Sequence, residues 1–170
     1  MTKLFHYTKG PIKKFQGGLN PQTRVTQING FWDDGDRLTK RFPWIKDKFS
    51  FCFLDSATPS GWINSPYSKC WKEIMTHTGD LLLYFNVIKS DEIYVLDFNR
   101  IAAYTYNPMY MPGELTPDFE GYFQSRVPLS EYSGGYALPE CIVANVVSRN
   151  RLSHNKLVNR KFLSLRSCFL

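Results

Sequence analysis

Long apolar runs are missing from this 170-residue chain. A membrane-spanning helix needs about 18 or more consecutive apolar residues, and no stretch here approaches that. No membrane partner is expected. The opening Met-Thr-Lys-Leu-Phe-His has no apolar core of a secretory leader, so no export signal is expected. Cys52, Cys70, Cys141 and Cys168 include no Cys-x-x-Cys spacing, and His6, His77 and His154 are equally scattered. A metal site is therefore not expected. The thiols read as free and largely buried, which suits a cytoplasmic location. A Walker loop is absent, and so is a Gly-x-Gly-x-x-Gly turn after a strand. Phosphate binding would have to use other groups. Repeats, low-complexity tracts and linkers are also lacking, so residues 1–170 read as one domain.

Aromatic residues are abundant: 13 Phe, 10 Tyr and 4 Trp. Disordered chains are poor in them, so a folded core is expected. Charge is uneven. Residues 1–50 carry 10 Lys and Arg against 4 Asp and Glu, residues 51–140 carry 5 against 11, and residues 141–170 carry 6 against none. Basic ends around an acidic middle can attract an anionic partner, or can simply be solvated surface.

Residues 3–8 read as a strand ended by Gly10-Pro11. Residues 10–48 are rich in turn signals (Gly17-Gly18, Asn20-Pro21, Asn29-Gly30, Asp34-Gly35) and poor in periodic pattern. Phe49–Leu54 reads as a strand. Ser65-Pro66 has the form of a helix start, with Tyr67, Trp71, Ile74 and Met75 on one face and Gly79 at the end. Residues 81–88 and 92–98 are β-patterned, and Lys89-Ser90-Asp91 between them suggests a hairpin. Residues 100–135 read as mostly irregular, residues 139–147 as a strand, and the basic tail from Arg149 as a short strand or helix. Few helices, short strands and long loops make an α+β domain with a mixed β core.

Two short motifs carry polar groups inside β-prone runs: Leu4-Phe5-His6-Tyr7-Thr8, and Pro139-Glu140-Cys141-Ile142-Val143. A purely structural strand alternates or stays apolar. A His and a Thr in the first strand, with a Glu starting a late one, are what a nucleotide pocket between strand ends would contain. In their order and spacing the two motifs resemble the ADP-ribosyltransferase superfamily. They are most similar to the branch that contains the DNA-modifying toxin DarT, where an aromatic stands between the His and the Thr.

That resemblance implies a fold, a substrate and a set of roles. The fold would be ADP-ribosyltransferase-like. NAD would be the substrate, in a glycosyltransferase-class reaction. His6 would bond the adenosine-side ribose, Thr8 would help fix a ribose, and backbone groups of Tyr7 would grip the nicotinamide amide. Ser50 resembles the small hydroxyl residue on a second conserved strand. Tyr84 or Tyr94 would stack on the nicotinamide ring. An arginine, Arg24, Arg37 or Arg41, would hold phosphate. Glu140 would be catalytic. Glu131 lies nine residues before it, which does not match the close acid pair of arginine-modifying relatives. The acceptor, protein or nucleic acid, stays open, as does simple NAD hydrolysis. Such an enzyme would suit a toxin or a viral effector acting in a host cytoplasm. The alternative is a non-enzymatic basic binding protein that inhibits or targets nucleic-acid machinery through its basic ends and aromatics.

Overall fold

Eight strands and two short helices are defined in the computed structural model, which describes residues 2–9, 11–23, 35–54, 81–101, 118–136 and 138–156. The strands are β1 (Lys3–Thr8), β2 (Gln22–Thr23), β3 (Lys48–Leu54), β4 (Leu81–Asn86), β5 (Ile93–Asp97), β6 (Val127–Pro128), β7 (Pro139–Val143) and β8 (Ser153–Lys156). The helices are α1 (Gly35–Arg41) and α2 (Phe119–Gln124). Seven strands form one sheet in the order β6-β5-β7-β3-β1-β4-β8, and β2 pairs with the start of β3. Every strand pairing among the described residues is antiparallel. The chain is thus α+β with few helices among the described residues, and its sheet is antiparallel there rather than the mixed sheet expected.

Alternation along the strands sends side chains to two faces. One face carries Phe53, Leu96 and Ile142, and packs with Phe98, Tyr122, Phe123 and Leu38. The other carries Leu4, Cys52, Phe85, Val95, Cys141 and Val143, and packs with Leu19, Val147 and Leu152. Both faces are covered, so the central strands read as nearly continuous apolar runs. That is why β3 and β7 were legible by composition and not by alternation. Cys52 and Cys141 are buried and free, in line with the expectation for those two. Burial pushes both thiols up, with Glu140 nearby adding to the effect.

Three sequence expectations need correction or completion. The hairpin over residues 81–98 does not form. β4 pairs with β1 and β8, whereas β5 pairs with β7 and β6. The turn between them instead carries the chain from one half of the sheet to the other. Asp91 closes it by accepting from the Ile88 N–H, and Arg151 clamps it through both Asp91 oxygens and the Asn86 carbonyl. Residues 100–135 are less irregular than expected, because α2 lies there. Asp118 caps it, accepting from the Gly121 N–H. Gly121 in its middle hid the helix from a pattern reading. Residues 10–48 contain α1, β2 and the 3₁₀ turns Ile12–Phe15 and Pro43–Lys46. The helix expected after Ser65 lies outside the described residues.

Gly18 ties the segment after β1 to the connection between β7 and β8. Its φ is +98°, and a Cβ there would stand 2.3 Å from the Val147 carbonyl oxygen. Next to it, Leu19 and Val147 exchange backbone hydrogen bonds of 2.8 and 3.1 Å. Gly18→Ala should therefore destabilise the protein. The positive φ alone costs about 1–2 kcal/mol, and the clash with backbone adds to it. A urea unfolding midpoint equal to wild type would contradict this.

Candidate functional site

β1 bonds to its two neighbours unequally. Against β4 it pairs along all six residues, from Lys3↔Asn86 to Thr8↔Leu81. Against β3 it pairs only at Leu4↔Leu54 and Phe5↔Phe53. The ladder stops where the His-Tyr-Thr motif begins. At that point a side chain takes over from the backbone. The His6 Nδ1 donates to the Phe51 carbonyl at 2.6 Å. A carbonyl can only accept, so Nδ1 carries the proton, and Nε2 of the neutral ring is an acceptor. Burial lowers the His6 pKa, and the bond to Phe51 only partly opposes this. The ring also meets Phe15 edge-on, with centroids 6.4 Å apart.

This has a pH consequence. The unfolded histidine titrates at its ordinary value of 6.5. The folded one titrates lower, so between the two values the unfolded chain binds more protons. Stability should then fall as pH drops through and below about 6.5. His6→Asn retains a donor near the Nδ1 position but does not titrate. Thermal melts from pH 5 to 7 should show a shallower pH slope in that variant, and an unchanged slope would refute the assignment.

The other sequence-singled residues are placed as follows. Thr8 lies two residues beyond His6 on the same face, and its hydroxyl reaches the Lys9 carbonyl only at 3.5 Å. Tyr7 points to the opposite face, 6.3 Å from the Phe53 ring. Ser50 is 3% exposed, and alternation puts it on the His6 face. Its hydroxyl makes no hydrogen bond among the described residues. A buried orphan hydroxyl costs about 1–3 kcal/mol. Glu140 starts β7 and is 1% exposed. It lies opposite Phe53 and Leu96, and its Oε2 accepts from the Tyr122 hydroxyl.

A single cross-strand row therefore runs Tyr84–Phe5–Phe53–Glu140–Leu96. It crosses the sheet at the level where the β1–β3 ladder ends. Glu140 and His6 are two strands apart, about 10 Å of backbone, and alternation directs them to opposite faces. The structure does not bring them side by side. Tyr84 shares the face of Glu140 but stands three strands away, about 14 Å. It tilts on Phe5 at 6.2 Å, with the Lys3 ammonium 5.3 Å from its ring. Tyr94 faces the Arg126 guanidinium at 3.5 Å. Arg37 and Arg41 both pair with Glu120, so each already has a carboxylate partner. Arg24 lies outside the described residues.

Sequence reasoning missed Tyr122, which sits within a segment read as irregular. Its signal was Asp118, a capping residue four positions earlier. A groove of about 580 Å³ also escaped notice. Arg100, Asp118, Gly121, Gln124 and Tyr136 line it, and Arg100 pairs there with Asp118. None of the residues singled out from sequence lines this groove. No group of His, Cys, Asp or Glu among the described residues is arranged to hold a metal ion, and no described helix is long and apolar enough to cross a membrane.

No family model matches the chain, and no curated protein or solved structure does.

Proposed function

We propose that this chain is an NAD-dependent mono-ADP-ribosyltransferase acting on a macromolecular acceptor. The observation that carries the reading is the end of the β1–β3 ladder at His6-Tyr7-Thr8. It falls on the motif whose resemblance implies dinucleotide binding. The polar groups there fit a ribose-bearing ligand. Nε2 of His6 is an acceptor for a ribose hydroxyl, and the orphan Ser50 hydroxyl on the same face would gain a partner.

In the proposed reaction the bond between nicotinamide and its ribose C1′ breaks. Nicotinamide leaves with the bonding pair and becomes neutral. A lone pair on the acceptor forms the new bond to C1′, and the acceptor's proton passes to a base and then to water. Positive charge builds on the ribose as the bond stretches. A buried carboxylate stabilises such charge more strongly than one in water. The resemblance gives that role to Glu140, which lies two strands from His6 on the opposite face of the sheet, so the substrate would have to pass between β1 and β3 to reach it. His6 and Ser50 would hold the substrate, not the reacting bond.

The test is incubation of the purified protein with NAD labelled in the adenosine half, together with a whole-cell lysate, while nicotinamide release is followed. Label entering protein or nucleic acid supports the transferase. Release without transfer would make the chain an NAD hydrolase using the same site. Neither event, with the protein folded, overturns the proposal. It would shift weight to the basic binding protein, whose affinity for nucleic acid should fall steeply with salt and need no NAD.

A further inference from the structure

We propose that Tyr122 is the positioning residue for the Glu140 carboxylate, a role that rests on the transferase reading above. Tyr122 is 1% exposed and donates its hydroxyl proton to Glu140 Oε2. Around this pair the sheet face is apolar, with Phe53, Leu96, Leu138 and Ile142 in the same cluster. The bond from Tyr122 fixes one oxygen of that carboxylate and so limits the rotamers it can take. A swing of about 1 Å at a reacting centre can cost on the order of 100-fold in rate.

The donor is itself held. The Tyr122 ring lies 5.1 Å from Phe123 and 6.5 Å from Phe98, centroid to centroid. The backbone of α2 is anchored at both ends. Asp118 caps its start, accepting from the Gly121 N–H at 2.8 Å. At its end the Ser125 hydroxyl donates to the Tyr122 carbonyl at 2.6 Å and accepts from the Asp97 N–H at 2.8 Å. The Tyr136 hydroxyl donates to the Ser125 carbonyl at 2.8 Å. These bonds lock a six-residue helix onto the end of β5, beside the strand that carries Glu140. A helix this short has little stability of its own, so the anchoring decides where the Tyr122 hydroxyl sits. Supporting residues with locked rotamers are how a reactive group is kept in its working geometry. Packing alone does not explain the choice of tyrosine, since phenylalanine would fill the same space without a buried hydroxyl to satisfy.

The test is Tyr122→Phe, compared with wild type and Glu140→Gln by steady-state NAD kinetics and by thermal melting. The expected result is a 10- to 100-fold lower kcat with the KM for NAD within about twofold of wild type, in a variant that stays folded and melts cooperatively, at a lower temperature because Glu140 Oε2 loses a donor. The split between kcat and KM separates positioning from a merely structural role, which would move both constants together. Wild-type kinetics in Tyr122→Phe, with Glu140→Gln inactive, overturn the positioning role and leave the transferase reading standing. A folded wild-type protein with no NAD turnover overturns the transferase reading, and the positioning role falls with it.

Discussion

Glu140→Gln should lower ADP-ribosyl transfer by at least 100-fold while leaving the protein folded. The expected loss follows from what the charge does. Removing one electrostatic group aimed at a transition state typically costs about 10²–10³ in kcat, and 100-fold corresponds to about 2.7 kcal/mol. Gln keeps the length and the planar shape of the side chain. It also keeps an oxygen that can accept the Tyr122 hydroxyl bond. It loses only the negative charge that would face the developing cation on the ribose. Glu140→Asp is the complementary variant, keeping the charge but withdrawing it by one methylene, and it should also lose most of the activity. Transfer at near wild-type rate in Glu140→Gln would remove Glu140 from the reaction. Attention would then move to other acidic groups, of which Asp118 and Glu120 line the groove beside α2.

Phe53→Ala should cause the largest loss of stability of any single change suggested by the site. Phe53 is 7% exposed and lies in the middle of the cross-strand row, between Phe5 and Glu140. Its ring meets Phe98 edge-on at 5.4 Å and Tyr7 at 6.3 Å. Truncating a buried phenylalanine costs about 3–5 kcal/mol, against a total of about 5–15 kcal/mol for a typical domain. At about 2–4 °C per kcal/mol for a chain of this size, the melting temperature should fall by roughly 10 °C. Phe53 pairs with Phe5 at the end of the β1–β3 ladder, so on the transferase reading this variant should lose NAD turnover before it loses its fold. Denaturant titration at two temperatures checks the first effect. A shift under about 1 kcal/mol would show that the row is not the packed floor described here.

Much of the local structure was legible in the chain itself. β1, β3 and β7 announce themselves through runs of aromatic, aliphatic and β-branched residues, which suit a pleated, buried surface. The short strand in the basic tail was one of two stated alternatives. The strong charge asymmetry and the free thiols at positions 52 and 141 were equally plain. His6 and Glu140 stood out because each sits inside or beside an apolar run, and Ser50 because it resembles the family's small hydroxyl residue on a second strand. A buried polar group must be paired or serve a purpose.

Tertiary structure decided the rest. Residues 81–98 look like a hairpin to any reading confined to neighbours in sequence. Strand partners are chosen by long-range burial, and β4 found β1 while β5 found β7. The helix α2 depends on anchors contributed by Asp97 and Tyr136, which no short window contains. Sequence order cannot say that the β1–β3 ladder ends after Phe5, because that is a property of two ladders competing for one strand. Nor can it say that His6 and Glu140 face opposite ways, since the face of a residue depends on which strand lies between. The chain by itself determined which polar residues break its apolar runs. Only the packing of distant strands, each burying an apolar face against the others, decided where those residues point and which of them meet.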